Sequence, residues 1–357
     1  MTYLLSKIRR RQALQMLAGA SGAALLHACN AASTDKAASE APAAADETAS
    51  SADSAMSLTL GTISWIGQVP IYIAQEKGFY KEAGLDFNLR LFGSGSEYMS
   101  AFLTNQLDGV SPVSSEAIIM KAQGKDYKIV LVQDNSVGGD GILAKDSIKS
   151  IADFKGKKVA VDTSGVSYFF LLQVLKEAGL SKDDITAVNT EPAAAAAAFQ
   201  ANSVDIAVTY APYLKQADDA VEDGRIIYDS AKMPTAITDL YLFDTAYIKS
   251  NPEAVQAFVD ATLKGLQFLK DNPEEGIAIG SKALEATPED IAADLQGIKL
   301  PDKETNLKML AQPEDDLFLA NSLEELAAFL LSEGQIETNP GDWATVIDPQ
   351  FVEAVKL

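Results

Sequence analysis

Leu85-Asp86-Phe87-Asn88-Leu89-Arg90-Leu91, followed by Phe92-Gly93-Ser94-Gly95-Ser96-Glu97, carries the first decision about the fold. Large apolar side chains alternate with Asp86, Asn88 and Arg90, which is the period of a half-buried strand. Ser94 and Glu97 then have capping-box spacing: Ser94 would accept from the amide of residue 97, and Glu97 would reach back to the amide of residue 94. A helix is expected from there to about Leu107. Working outward, Leu58 and Leu60 alternate with polar or small neighbours, and Ile129 to Val132 is a continuous apolar run. Strands separated by helices predict parallel pairing in an α/β sheet covered on both faces.

A second block repeats the logic, with strands at Val159 to Val161, Val204 to Val208 and Ile226 to Tyr228, and helices near Val166 to Ala178 and Pro192 to Ala201. Phe102, Asn105 and Asp108 recur as Phe199, Asn202 and Asp205 at a constant offset of 97 residues, so the halves read as related lobes. From Asn251 onward the chain turns helical. Asn251-Pro252, Asn272-Pro273 and Thr287-Pro288 each place a capping residue before a proline suited to the first helical position.

Composition removes most chemistries. With 47% hydrophobic and 22% charged residues, the 357-residue chain has enough to bury a core in two domains. A net charge of -21 argues against nucleic acid as a partner. The one histidine, His27, and the one cysteine, Cys29, both lie in the first thirty residues. The body therefore lacks a Cys or His nucleophile, a Ser-His-Asp triad, an imidazole or thiolate zinc site and a disulfide. No cofactor is implied.

Residues 1–28 carry Lys7, Arg9, Arg10 and Arg11 without an acid, followed by an apolar run from Ala13 to Ala28. That is the form of an export signal. The arginines resemble a twin-arginine signal, although Ala13 stands where that pattern prefers Phe, and general secretion remains open. Leu26-His27-Ala28-Cys29 resembles a bacterial lipobox, with Cys29 as the lipidated residue; the alternative is a plain cleavage site with a stray thiol. Loss of residues 1–28 removes four positive charges and takes the chain from -21 to -25. Residues 29–57 then read as the lipidated Cys and a disordered tether of roughly 30 Å reach. An exported protein held to the membrane, in the periplasm or at the cell surface, is expected.

The run Ser64-Trp65-Ile66-Gly67-Gln68-Val69-Pro70-Ile71-Tyr72-Ile73-Ala74-Gln75-Glu76-Lys77-Gly78-Phe79-Tyr80 continues to Leu85. It resembles the opening of the nitrate/taurine/sulfonate/thiamine-precursor family of ABC-importer substrate-binding proteins. Gly93 to Ser96, Ser114-Ser115, Ile151 to Val161 and Val208-Thr209-Tyr210-Ala211-Pro212-Tyr213 match that family in order, so the resemblance covers roughly residues 58–270. It implies an α/β, two-lobe periplasmic-binding-protein fold of type II with hinge strands between the lobes. Lobe one would take residues 58–138 plus 237–357, and lobe two residues 139–236. The hinge strands would pass near Asp134 to Gly141 and Ala236 to Phe243, with Gly138, Gly139 and Gly141 at a crossing that flexes. It also implies a monomer that hands a small solute to an ABC permease. The pyrimidine-forming enzymes of thiamine synthesis resemble the same family but depend on histidine and a cysteine-rich motif.

Ligands in open α/β sheets sit beyond the carboxyl ends of strands. That rule alone selects Trp65 and Gln68, Ser94 and Gly95, Ser114 and Ser115, Thr163, Ser164, Gly165 and Tyr168, and Tyr210 and Tyr213. Trp65 can stack on a planar ligand or fill the core, and Gln68 offers a donor and an acceptor. The serines can offer hydroxyls and amides to a ligand or cap helices. Tyr168 and Tyr210 can frame the ligand from the second lobe or serve as core aromatics. The body has only two arginines, Arg90 and Arg225, neither placed to clamp an anion. Asp134, Asp140, Glu191 and Asp239 stand near strand ends or crossings, where they can meet an amine or remain solvated acids. The expected ligand is neutral or cationic, and a heteroaromatic one fits. A sensory receptor domain and a non-hydrolytic enzyme with Asp140 or Glu191 as base are the alternatives.

Overall fold

In the computed structural model of the protein, residues 56–233 and 236–356 are described. The export signal, Cys29 and nearly all of the tether lie outside them. One sheet has the order β11-β4-β10-β3-β1-β2, from β1 (Met56–Ile63), β2 (Leu85–Phe92), β3 (Gly109–Val110), β4 (Tyr127–Ser136), β10 (Thr238–Asp244) and β11 (Ile298–Lys299). The other has the order β7-β6-β8-β5-β9, from β5 (Asp140–Lys145), β6 (Lys158–Val161), β7 (Thr186–Asn189), β8 (Ile206–Tyr210) and β9 (Gly224–Asp229).

Uniform parallel pairing does not hold. Consecutive strands joined by a helix within one sheet run the same way, so β1 pairs in parallel with β2 and β3, and β6 with β7 and β8. Strands that carry the chain between sheets do not. β10 runs antiparallel to β3 and β4, and β5 antiparallel to β8 and β9. The reason is the connection: β4 passes to β5 through residues 137–139 with no helix between, and β9 returns to β10 by a short link. Without a helical crossover a strand cannot re-enter a sheet in parallel. At the first crossing Gly138 has φ 133, a conformation that side-chain-bearing residues rarely adopt.

Local readings fare unevenly. Helices Val166–Glu177 and Pro192–Gln200 stand where their apolar spacing put them. The capping box at Ser94 does not form. Ser94 hydrogen-bonds Ser96 through their hydroxyls (3.0 Å), and Glu97 reaches one residue further, accepting from the Gly93 amide at 2.9 Å. Of the three Pro-led helices, only Thr287 caps its own through its side chain, accepting from the Asp290 amide. Asn251 and Asn272 turn backward, donating at 3.4 Å to Tyr247 O and Phe268 O at the ends of the preceding helices.

The repeated Phe-x-x-Asn-x-x-Asp segments adopt one geometry in both halves. Asn105 and Asn202 are left-handed, with φ 58 and 56, and Phe102 and Phe199 are fully buried. A buried lysine from elsewhere closes each turn. Lys125 donates to Asn105 Oδ1 at 2.6 Å, pairs with Asp244 at 2.8 Å and lies 4.3 Å from the Phe102 ring centroid. Lys145 does the same with Asn202, Asp223 and Phe199. Removing one member of a buried pair strands the other without water. Lys125→Met is therefore expected to cost about 2–3 kcal/mol, read as a lower urea midpoint with unchanged slope. Lys145→Met should cost less, because its Asp223 side chain is 75% exposed against 22% for Asp244.

Candidate functional site

Between the two sheets lies a narrow space of about 10 Å³, too small for more than about one water as the lobes stand, bounded by Trp65, Val113 and Asp239 from the first sheet's side and by Asp140, Val166 and Tyr210 from the second's. Trp65 stands just after β1. Its indole N–H donates to Asp134 Oδ2 at 2.9 Å, and its ring meets Tyr210 edge-on at 5.8 Å between centroids. It also rests on the crossing: a Cβ on Gly139 would come within 2.7 Å of the indole, so only glycine permits this approach. Tyr213 extends the aromatic wall, its ring 6.1 Å from that of Tyr210.

Gln68 is not available to a ligand. Its amide donates to Thr62 (2.6 Å), Ser111 (3.0 Å) and Gln133 (3.3 Å), and its oxygen accepts from Tyr241 at 3.4 Å. The side chain is a fully spent node inside the first lobe.

Ser114 and Ser115 are buried at the start of helix Ser114–Ala122, beside a residue the sequence reading missed. Glu116 is 2% exposed, accepts from the Val113 amide at 3.2 Å and from the Tyr98 hydroxyl, and has its ionised form destabilised by burial, which pushes its carboxyl up to about 7. Gly95 makes room for it, since a Cβ there would overlap Glu116 Oε1. Ser94 is buried but bonds only to Ser96.

Across the cleft, Thr163, Ser164 and Gly165 form the turn after β6, where the Ser164 donors and the Thr163 amide are already engaged. Ser164 donates to Asp162 Oδ1 through its hydroxyl (2.7 Å) and amide (3.0 Å), and the Thr163 amide donates to Asn189 at 3.0 Å. Asp162, not singled out in the sequence, takes the Ser164 hydroxyl and amide for itself. Glu191 is exposed at the rim, its Oε2 3.7 Å from where a Gly93 Cβ would be. Tyr168 is not brought to the cavity; its phenol is raised by burial and then by Asp183 and Glu333.

Three buried carboxylates define the electrostatics. Asp134 and Asp239 face each other in register on β4 and β10, and Asp140 opens β5. Burial pushes Asp140 up to about 7, against a weaker lowering by Ser136. Burial pushes Asp134 up to about 7, against a lowering by the Trp65 indole N–H and with a further push from the Asp140 charge, and burial followed by the charges of Asp134, Asp140 and Glu116 raises Asp239 well above the usual carboxylate range. No lysine or arginine bounds this cavity among the described residues. Arg225 is held by Asp146 (3.0 Å) and the Ile148 carbonyl (2.9 Å), and Arg90 lies over Phe92.

The family model described as NMT1/THI5 like matches residues 65–276, more than half of the chain and nearly the whole of what builds the cavity. The chain belongs to the NMT1/THI5-like family. Within reach of this NMT1/THI5-like chain is the taurine-binding periplasmic protein of Escherichia coli, 24% identical over 297 residues that cover 80% of this chain and 89% of that one. The crystal structure of the periplasmic aliphatic sulphonate binding protein from Escherichia coli superposes with a TM-score of 0.65 at 22% identity, covering 80% of this chain and 94% of that one. The two-lobe α/β fold of periplasmic binding proteins is thus this chain's fold. The same fold also carries a desulfurization enzyme, with a TM-score of 0.62 at 15% identity over 84% of this chain and 98% of that one. Fold alone therefore does not separate binding from catalysis.

Proposed function

We propose that this NMT1/THI5-like protein is the extracytoplasmic solute-binding component of an ABC importer, which closes two lobes around one small organic solute and presents the closed form to a membrane permease. The observation that carries the reading is the placement of groups across the seam: Trp65 and Asp239 face Asp140 and Tyr210 over a space of about 10 Å³, room for about one water, so a solute admitted when the lobes part would touch both halves. A ligand with contacts to both lobes stabilises closure by its differential affinity for the closed state. Relatives that are periplasmic binding proteins support the export and delivery parts of the reading. The fold that carries the desulfurization enzyme keeps an enzyme as the second reading, and turnover of the bound solute would decide for it.

Finer parts belong to the same proposal. The solute is neutral or cationic, because acids and no bases bound the cavity, and Trp65 suits a heteroaromatic body. Cys29 is the lipid-anchored residue, and the protein acts as a monomer. Lobe one comprises residues 58–138 and 237–357 and lobe two residues 139–236, a division that the membership of the two sheets supports. The test is native mass spectrometry of the purified chain before and after denaturation. One small molecule released per chain, and lost from Trp65→Ala, is expected. Co-purification that survives the substitution would move the site elsewhere.

A further inference from the structure

Asp134, Asp140 and Asp239 come from three different strands and meet where the sheets join. Asp239 Oδ2 has no hydrogen-bond partner, and Asp134 Oδ1 has none within ordinary bonding geometry, its nearest help being the Gln133 side chain that lowers Asp134; both carboxylates are more than nine-tenths buried. A buried oxygen without a donor is costly unless it is protonated or met by one. Asp239 bounds the cavity, so its unpartnered oxygen stands beside the space a solute takes.

Every element packed around this trio brings a neutral or acidic group. Helix Val69–Glu76 brings Tyr72, helix Gly95–Leu103 brings Tyr98 and helix Ser114–Ala122 brings Glu116. The turn after β6 brings Asp162, β8 brings Tyr210, which has Tyr213 beside it, and β10 itself brings Tyr241. No cation answers them. Among the described residues no group of three or more Asp, Glu, His or Cys has the spacing to hold a metal ion, so a metal is a poor occupant.

We propose that the captured solute is an organic cation with at least two N–H donors, an ammonium or amidinium on an apolar or planar body, and that its capture releases a proton which Asp134 and Asp239 hold between them in the empty cleft. This rests on the receptor reading above and deepens it. No covalent bond forms or breaks: one positive charge enters, one proton leaves to solvent, and the charge of the site is unchanged. The cation donates to Asp239 and Asp140 while Trp65 and Tyr210 flank its body.

The direction of the pH dependence follows from the raised carboxyls. An acid whose folded pKa is raised binds a proton that the unfolded chain has lost, so the contribution of Asp134 favours the empty fold below about pH 4 and fades as pH rises through about 7, with Asp239 raised in the same direction. A cation competes with that proton, so its affinity rises across the same window.

The test is calorimetric titration of the full-length chain with benzamidine, benzamide and benzenesulfonate at about pH 5.5 and about pH 7.5, in buffers of differing ionisation heat. Benzamidine is expected to tighten roughly tenfold or more between the two, releasing about one proton per ligand, with benzamide weaker and pH-independent. Asp239→Asn, near-isosteric, is expected to weaken benzamidine by roughly tenfold or more and to abolish proton release. Asp140→Asn serves if the first variant fails to fold by circular dichroism. Tighter binding of benzenesulfonate, equal binding of benzamide, a flat pH profile, or no binding of any probe overturns the proposal. A neutral or anionic solute that co-purifies and is lost from Trp65→Ala would leave the receptor reading standing while this one falls; no dependence on Trp65 would remove both.

Discussion

Trp65→Ala is expected to weaken solute binding by roughly 30-fold or more while leaving the chain folded, because truncating an aromatic anchor in a desolvated pocket costs about 2 kcal/mol or more. Two losses combine. The indole supplies a wall of the cavity opposite Tyr210, and its N–H is the only hydrogen bond to Asp134 Oδ2 recorded among the described residues. Trp65→Phe separates them, keeping most of the wall but deleting the donor, and is expected to fall between wild type and alanine. The measurement is calorimetric titration with the molecule recovered from the purified chain, alongside urea unfolding to show that the variant, though destabilised by loss of a buried ring, is still folded under the titration conditions. An alanine variant that binds within a factor of about two of wild type would show that this cavity is not where the solute sits.

Phe258→Ala is expected to produce the largest loss of stability, about 3–5 kcal/mol. The side chain is fully buried on helix Pro252–Asp271 and is the hub of an aromatic cluster. Tyr80, Phe87, Tyr241 and Phe243 all pack on it with centroid distances between 5.2 and 6.0 Å. Those four come from helix Phe79–Glu82, β2 and β10, so the cavity left by truncation would open under three elements at once. Such a site cannot collapse locally, which is what makes the cost large. Against a total of about 5–15 kcal/mol the loss should show as a sharply lower urea midpoint. A shift worth less than about 1 kcal/mol would mean that the cluster relaxes to fill the gap.

How much of this was legible in sequence depended on how local the cause was. The alternation of Leu85 to Leu91 and the apolar run at Ile129 to Val132 announced β2 and β4 because the period of a strand is written in neighbouring residues. The hinge strand expected near Asp134 to Gly141 stopped short of the end of β5, whose remaining residues Ile142 to Lys145 drew no reading although every residue of β5 is buried, since what buries it are β8 and β9, more than sixty residues away. The site divides the same way. Asp140 and Asp239, which the structure brings to one space, were singled out because acids at strand ends stand out beside a scarcity of arginine. Glu116 was missed because Ser114-Ser115-Glu116 is also an ordinary helix start, and its burial depends on Gly95 in a different helix. The internal partners of Gln68 were out of view for the converse reason: Thr62, Ser111, Gln133 and Tyr241, which hydrogen-bond it, are mostly far away in sequence.

The chain holds only two tryptophans, and they live in different worlds. Trp343 is packed in the first lobe's core among residues such as Phe351, whereas Trp65 sits on the crossing glycine, on a carboxylate and on the rim of the cavity at once. Any solute that enters must alter the polarity around one indole and leave the other alone. The molecule thus carries its own optical reporter of occupancy. A shift in intrinsic fluorescence on adding solute would come from Trp65 by subtraction, and Trp65→Phe would silence it, giving a label-free titration in which lobe closure and ligand contact are read from a single ring.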